Sequence, residues 1–221
     1  MATTKITAKV YKPLWTDFIR QTNTLFLKRD AFLNHMIRTE IPHLAREVKG
    51  KDKLSSKARR YIAGELKRMG SESPVTVNIV VDQETADALK QVVDSANLVR
   101  DGFINRLLIW LRASDVLLQS FDIPKTLDGL NEWNGMPVSP LKAMEAVRDD
   151  PLGYIRSQIE TEEWGGLYTG YMPPPLTGLS CYLDDVHVPD TLAFKENERE
   201  MADLLGEAES QAFGKKRKGG E

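Results

Sequence analysis

Two stretches of the chain open on a period-two alternation of apolar and mostly polar residues. Ile6, Ala8 and Val10 alternate with Lys5, Thr7 and Lys9, and Val75, Val77, Ile79 and Val81 alternate with Thr76, Asn78 and Val80. A period of two predicts a strand with one face buried. After each strand the period changes to that of a helix. Pro13 sits where a first helical residue can lie, and Leu14, Phe18 and Ile19 follow; Asp82 stands at an N-cap position, and Leu89, Val92 and Val93 follow. A break falls near Thr24-Leu25-Phe26 and again near Ser95-Ala96-Asn97. A second helix is then predicted from about Lys28 to Arg38, burying Phe32, Leu33, Met36 and Ile37, and from about Arg100 to Arg112, burying Phe103, Ile104, Leu107 and Leu108.

The order strand, helix, turn, helix therefore occurs twice, and the two copies align without a gap. Lys5–Asn34 superposes on Thr76–Asn105 at a shift of 71 positions, with six identities: Val10/Val81, Leu27/Leu98, Arg29/Arg100, Asp30/Asp101, Phe32/Phe103 and Asn34/Asn105. Between the copies lies VKGKDKLSSKARRYIAGELKRMGSESP, residues 48–74, where Ser55 or Ser56 is placed to cap a helix running to about Met69. Gly70 and Pro74 end it.

The pattern resembles the ribbon-helix-helix superfamily of Arc-, MetJ- and CopG-like repressors, and two repeats in tandem on one chain are similar to the arrangement in TraY-like proteins. The resemblance covers about residues 3–45 and 73–113. It implies a mainly α fold with a two-stranded antiparallel β-ribbon, the two repeats pairing within the chain as a pseudo-dimer. A lone strand leaves amides, carbonyls and one apolar face unsatisfied, so physics favours the pairing independently. The resulting division is 1–45 for the first repeat, 46–72 for a basic helical linker, 73–113 for the second repeat, 114–210 for an acidic, mostly helical and loop-rich module, and 211–221 for a basic tail expected to be disordered.

Family resemblance further implies sequence-specific binding of double-stranded DNA, with the outward ribbon residues Lys5, Thr7, Lys9, Thr76, Asn78 and Val80 reading base edges in the major groove. Lys donates to guanine, Asn pairs with adenine, Thr donates or accepts, and Val80 can touch only a thymine methyl, so unlike strands imply an asymmetric site. The starts of the second helices, at Leu27, Lys28 and Arg29 and at Val99 and Arg100, are implied phosphate contacts. Asp30 and Asp101 in those first turns favour the helix itself.

Charge sharpens this picture. The net charge is −2. Residues 1–72 hold 16 Lys and Arg against 7 Asp and Glu, and residues 73–221 hold 14 against 25. A basic first third suits a polyanion. Lys49, Lys51, Lys53, Lys57, Arg59 and Arg60 crowd the start of the linker helix, where positive charge is unfavourable, and Lys67 and Arg68 lie at its end. Lys57, Arg59 and Arg60 are accordingly candidate phosphate contacts, with a solvated linker face as the alternative. The acidic module is expected to pack on the basic half or to dock another protein, which gives a second function class: a structural subunit of a nucleoprotein complex that binds protein or RNA.

Other chemistry is sparse. With one cysteine, Cys181, and His35, His43 and His187 as the only histidines, no metal site, disulfide or cofactor is expected. Cys181, Asp184, Asp185 and His187 lie close in sequence, but neither a nucleophile elbow nor a phosphate-cradling glycine loop accompanies them, so no catalysis is expected. Pro173-Pro174-Pro175 is either a rigid loop or a polyproline ligand. Helices are predicted at about Pro140–Arg148, Pro151–Glu160 and Glu196–Glu207. No apolar run is long enough to span a bilayer, and no secretory segment is evident, so a cytoplasmic, nucleoid- or plasmid-associated protein is expected.

Overall fold

In the computed structural model, residues 2–69, 74–113, 149–161, 166–172 and 176–217 are described; the helix expected at Pro140–Arg148 and the triple proline lie outside them. The described residues form seven α-helices and a two-stranded antiparallel sheet. Both strands fall where alternation placed them, β1 at Thr3–Val10 and β2 at Val75–Asp82. Thr7 faces Asn78 at the centre, flanked by Ile6 opposite Ile79 and Ala8 opposite Val77. Ile6, Ala8, Val10, Val77, Ile79 and Val81 are all buried on the core side.

Helix α1 (Lys12–Thr24) starts on Pro13, and α4 (Gln83–Ser95) starts after Asp82. Asp82 occupies the N-cap position without capping, because its carboxylate accepts from the Asn34 amide group at 2.8 Å instead. Each helix ends in a residue of left-handed backbone, Phe26 (φ 56°) and Asn97 (φ 53°), after which Leu27 and Leu98 donate backward to the Thr22 and Val93 carbonyls. These are corresponding positions of the two repeats.

The second helices differ from each other. Helix α2 (Arg29–Glu47) continues well past the expected end at Arg38 and carries Pro42 inside it. An interior proline costs about 3 kcal/mol. Burial of Ile41 and Leu44 on the core and of Glu40 among polar partners offsets that cost. Helix α5 (Arg100–Leu111) is buried continuously from Gly102 to Trp110, because the C-terminal half covers the side that α2 leaves open. Arg106 inside it donates from Nε to the Leu167 carbonyl at 2.9 Å and from its guanidinium to Gly170, and the Trp110 indole donates to Leu167 at 2.9 Å. Asn105 and Arg106, which interrupt the apolar run in sequence, are therefore core residues.

The linker helix α3 spans Ser56–Arg68, with the Ser55 hydroxyl accepting from the Ala58 amide at 3.0 Å. Ala58, Ile62 and Leu66 face inward at helical spacing. A short turn at Leu176–Leu179 packs on it so closely that a Cβ on Gly178 would lie 2.6 Å from the Leu66 nitrogen. Beyond it, α6 covers Gly153–Thr161 and α7 covers Leu192–Arg217. Helix α7 runs into the tail expected to be disordered.

Two acids on α2, the buried Glu40 and the half-buried Glu47, fasten the C-terminal half to the repeats. Glu40 accepts from the Tyr168 hydroxyl at 2.8 Å and from the Arg156 guanidinium, which also binds Asp150. Glu47 accepts from the amides of Leu167, Tyr168 and Thr169 at 2.8–3.0 Å. Burial raises the Glu47 pKa, and those amides pull against the shift. No helix among the described residues is long and apolar enough to cross a membrane.

Candidate nucleic-acid interface

The outward face of the ribbon presents the side chains that alternation assigned to it. Lys5, Thr7, Lys9, Thr76 and Asn78 are exposed, and Val80 is half-buried. Lys5 lies opposite Val80 and Lys9 opposite Thr76, so both cations belong to β1 and β2 contributes none. At the centre the Thr7 hydroxyl donates to Asn78 Oδ1 at 2.8 Å. That bond fixes the Asn78 amide plane and leaves its NH₂ group as a donor.

Behind the ribbon, the repeats exchange a matched pair of bonds. Asn34 Oδ1 accepts from the Asp82 amide, and Asn105 Oδ1 accepts from the Tyr11 amide, each at 2.9 Å. Each asparagine thus satisfies the strand-to-helix junction of the other repeat. Its identity in the two copies was the sequence signal, but no spacing rule tied it to a junction far along the chain.

The two second-helix starts are not equivalent. At α2, Lys28 is exposed in extended backbone, and Arg29 is half-buried with its guanidinium 5.5 Å over the Trp15 ring and its Nε 2.6 Å from Asp30. The Asp30 hydrogen bond holds the Arg29 pKa above its ordinary value. At α5, Arg100 stays exposed and donates to the Thr7 carbonyl, anchoring the helix start to the middle of β1. Val99 departs from expectation. Its side chain is buried and its amide donates to the Cys181 carbonyl at 3.0 Å, so neither faces a phosphate. Gly102 explains the approach, since a Cβ there would stand 2.1 Å from the Ser180 carbonyl oxygen. The corresponding residue of the first repeat is Ala31, and it is exposed.

Of the basic linker residues singled out in sequence, Lys57, Arg59 and Arg60 are all exposed. Lys57 donates to the Asp190 carbonyl, Arg59 to Asn97 Oδ1 at 2.6 Å, and Arg60 to the Ser56 carbonyl at 3.2 Å. The C-terminal half also reaches the start of α3: Asp185 accepts from the Ser55 hydroxyl at 2.6 Å. Cys181, Asp185 and His187 have separate partners. The Cys181 thiol is buried, donates to the Tyr168 carbonyl at 3.0 Å and has its pKa pushed up to about 12 by desolvation, while His187 packs on the Tyr171 ring. Among the described residues no group of three or more His, Cys, Asp or Glu could hold a metal ion. No family model, curated protein or solved structure matches the chain.

Proposed function

We propose that this chain is a sequence-specific double-stranded-DNA-binding protein of ribbon-helix-helix type, whose two repeats pair within one chain as a pseudo-dimer. The observation that carries the reading is the register of the ribbon. The repeats are related by a shift of 71, and the central facing pair, Thr7 and Asn78, is a residue and its own counterpart. Moving outward, Ile6 meets the counterpart of Ala8, and Ala8 meets the counterpart of Ile6. The exchanged asparagine bonds and the two left-handed turns follow the same relation. An approximate two-fold axis through Thr7 and Asn78 accounts for all of them together.

A two-stranded ribbon is narrow enough for the major groove, and the face opposite the core carries lysine, threonine and asparagine. Both lysines lie on one strand, so the chemistry along the groove is lopsided and the bound site is not a palindrome. Lys28, Arg29 and Arg100 lie at the second-helix starts, where phosphate contacts would set the position of the ribbon without reading sequence. As a biological role we propose transcriptional regulation or accessory work in plasmid maintenance or conjugative transfer.

Selection from a random pool of duplexes tests this reading. One asymmetric consensus is expected, and Lys9→Ala and Asn78→Ala are each expected to relax one position at a cost of about 1–3 kcal/mol. A pool that returns no consensus overturns it. A second reading, a structural subunit that docks protein or RNA, is favoured by the apolar residues Leu25, Phe26, Leu27, Met201, Leu204 and Leu205, all of them exposed. Its signature is a stoichiometric partner retained on purification by the full chain and lost on Leu204→Ser/Leu205→Ser, which changes only exposed side chains.

A further inference from the structure

The second repeat has given up its helix-start amide at Val99 to the C-terminal half, yet the ground beside it is strongly cationic. Linker residues Lys49, Lys51, Lys53, Lys57, Arg59 and Arg60 are all exposed within one short span. The structure fixes where that span lies. Leu54 donates from its amide to the Ala96 carbonyl at 3.0 Å, the Asn97 side chain donates to the Leu54 carbonyl at 2.6 Å, and Arg59 reaches Asn97. The span therefore lies along the turn between α4 and α5. Three residues beyond Asn97, Arg100 donates to the Thr7 carbonyl at the middle of the ribbon.

The C-terminal segment holds the span from behind. Tyr182 donates to the Asp52 carbonyl at 3.2 Å and lies under Lys51 at 5.5 Å, Asp185 takes the Ser55 hydroxyl, and the Asp190 carbonyl takes Lys57. The same segment places its Cys181 carbonyl on the Val99 amide. One element thus closes the helix start and braces the basic span next to it. No comparable cover lies on the first repeat among the described residues, where Leu25, Phe26 and Leu27 are exposed and Ala31 stands in place of Gly102.

We infer that the basic span 49–60 is a DNA-backbone contact surface that replaces, on the second-repeat side, the helix-start contact occupied by Cys181. This rests on the DNA-binding reading and gives its two flanks different chemistry. The first flank uses a helix start with Lys28 and Arg29; the second uses side-chain cations on a braced linker. Lysines and arginines held this way attract phosphate by charge without reading bases, and their contribution falls with salt. Their crowding at the first turn of α3, unfavourable for the helix alone, is stabilised when phosphates lie against it.

Duplex affinity measured against salt concentration tests the inference in the full chain. The double variant Lys53→Gln/Arg60→Gln leaves the Arg59–Asn97 and Lys57–Asp190 contacts in place, and Lys195→Gln/Arg199→Gln on α7 removes the same charge elsewhere. Each lost phosphate contact lowers the slope of log affinity against log salt by about 0.9. The linker variant is expected to show a slope shallower by about 2, weaker binding to specific and random duplex alike, and an unchanged consensus; the α7 variant is expected to match wild type. If wild type selects a consensus while both variants keep its slope, the linker surface is refuted and the ribbon reading stands. If wild type selects no duplex, both fall together.

Discussion

Phe26 is the residue most at odds with its own surroundings. It is 95% exposed and holds a left-handed backbone at φ 56°, a conformation that costs a residue with a Cβ about 1–2 kcal/mol and that helix ends usually assign to glycine or asparagine. The counterpart in the second repeat is Asn97, which meets the same backbone demand with a suitable side chain. Phe26→Asn is therefore expected to raise stability by about 0.5–1 kcal/mol, read as a higher denaturation midpoint with the spectrum of the native state unchanged. A lower midpoint would mean that the ring is held in a contact of an assembled state. The same position shows how sequence legibility ends at single residues: the break at Thr24-Leu25-Phe26 is visible as a change of pattern, but nothing in it announces that a phenylalanine takes the strained place.

At the scale of elements, strands and first helices were legible because one physical signal decided each: alternation for β1 and β2, a helix-starting proline or aspartate for α1 and α4. Ser55 as the cap of α3 was legible for the same reason. The outward ribbon set followed from the period alone. Helix α2 was not, since its continuation through Pro42 depends on Glu40, Ile41 and Leu44 finding partners that local pattern does not reveal. Nor was the burial of Val99 and Arg106, which is decided by residues of the C-terminal half far along the chain. Gly102 carried a trace of it, as a glycine where the first repeat has alanine. Gly102→Ala is expected to push the Ser180–Cys181 backbone away from α5 and cost about 1–3 kcal/mol, measured by thermal unfolding. An unchanged midpoint would show that the close packing there contributes little.

The whole molecule joins two segments of the same strand-helix-helix order to a C-terminal half that treats them unequally, covering α5 and leaving the corresponding part of α2 open. Cys181 sits at that junction and reports on it. Buried, and with desolvation pushing its thiol pKa up, it is expected to resist alkylation at pH 8 and to react promptly on unfolding. Prompt modification of the native protein would show that the segment leaves α5 readily; Gly102→Ala is expected to move the rate in that direction.

The pairing of β1 with β2 also sets an order of events during synthesis. Ile6, Ala8 and Val10 have no intrachain strand to cover them until Val75–Asp82 has been made and freed, so the first strand waits while two helices and the linker are translated. A long-range pairing of this kind slows folding and leaves an apolar edge open in the interval. Lys5 and Lys9, alternating with those apolar residues, place charge on the waiting edge, and charge of that kind discourages nascent chains from adding strands to one another.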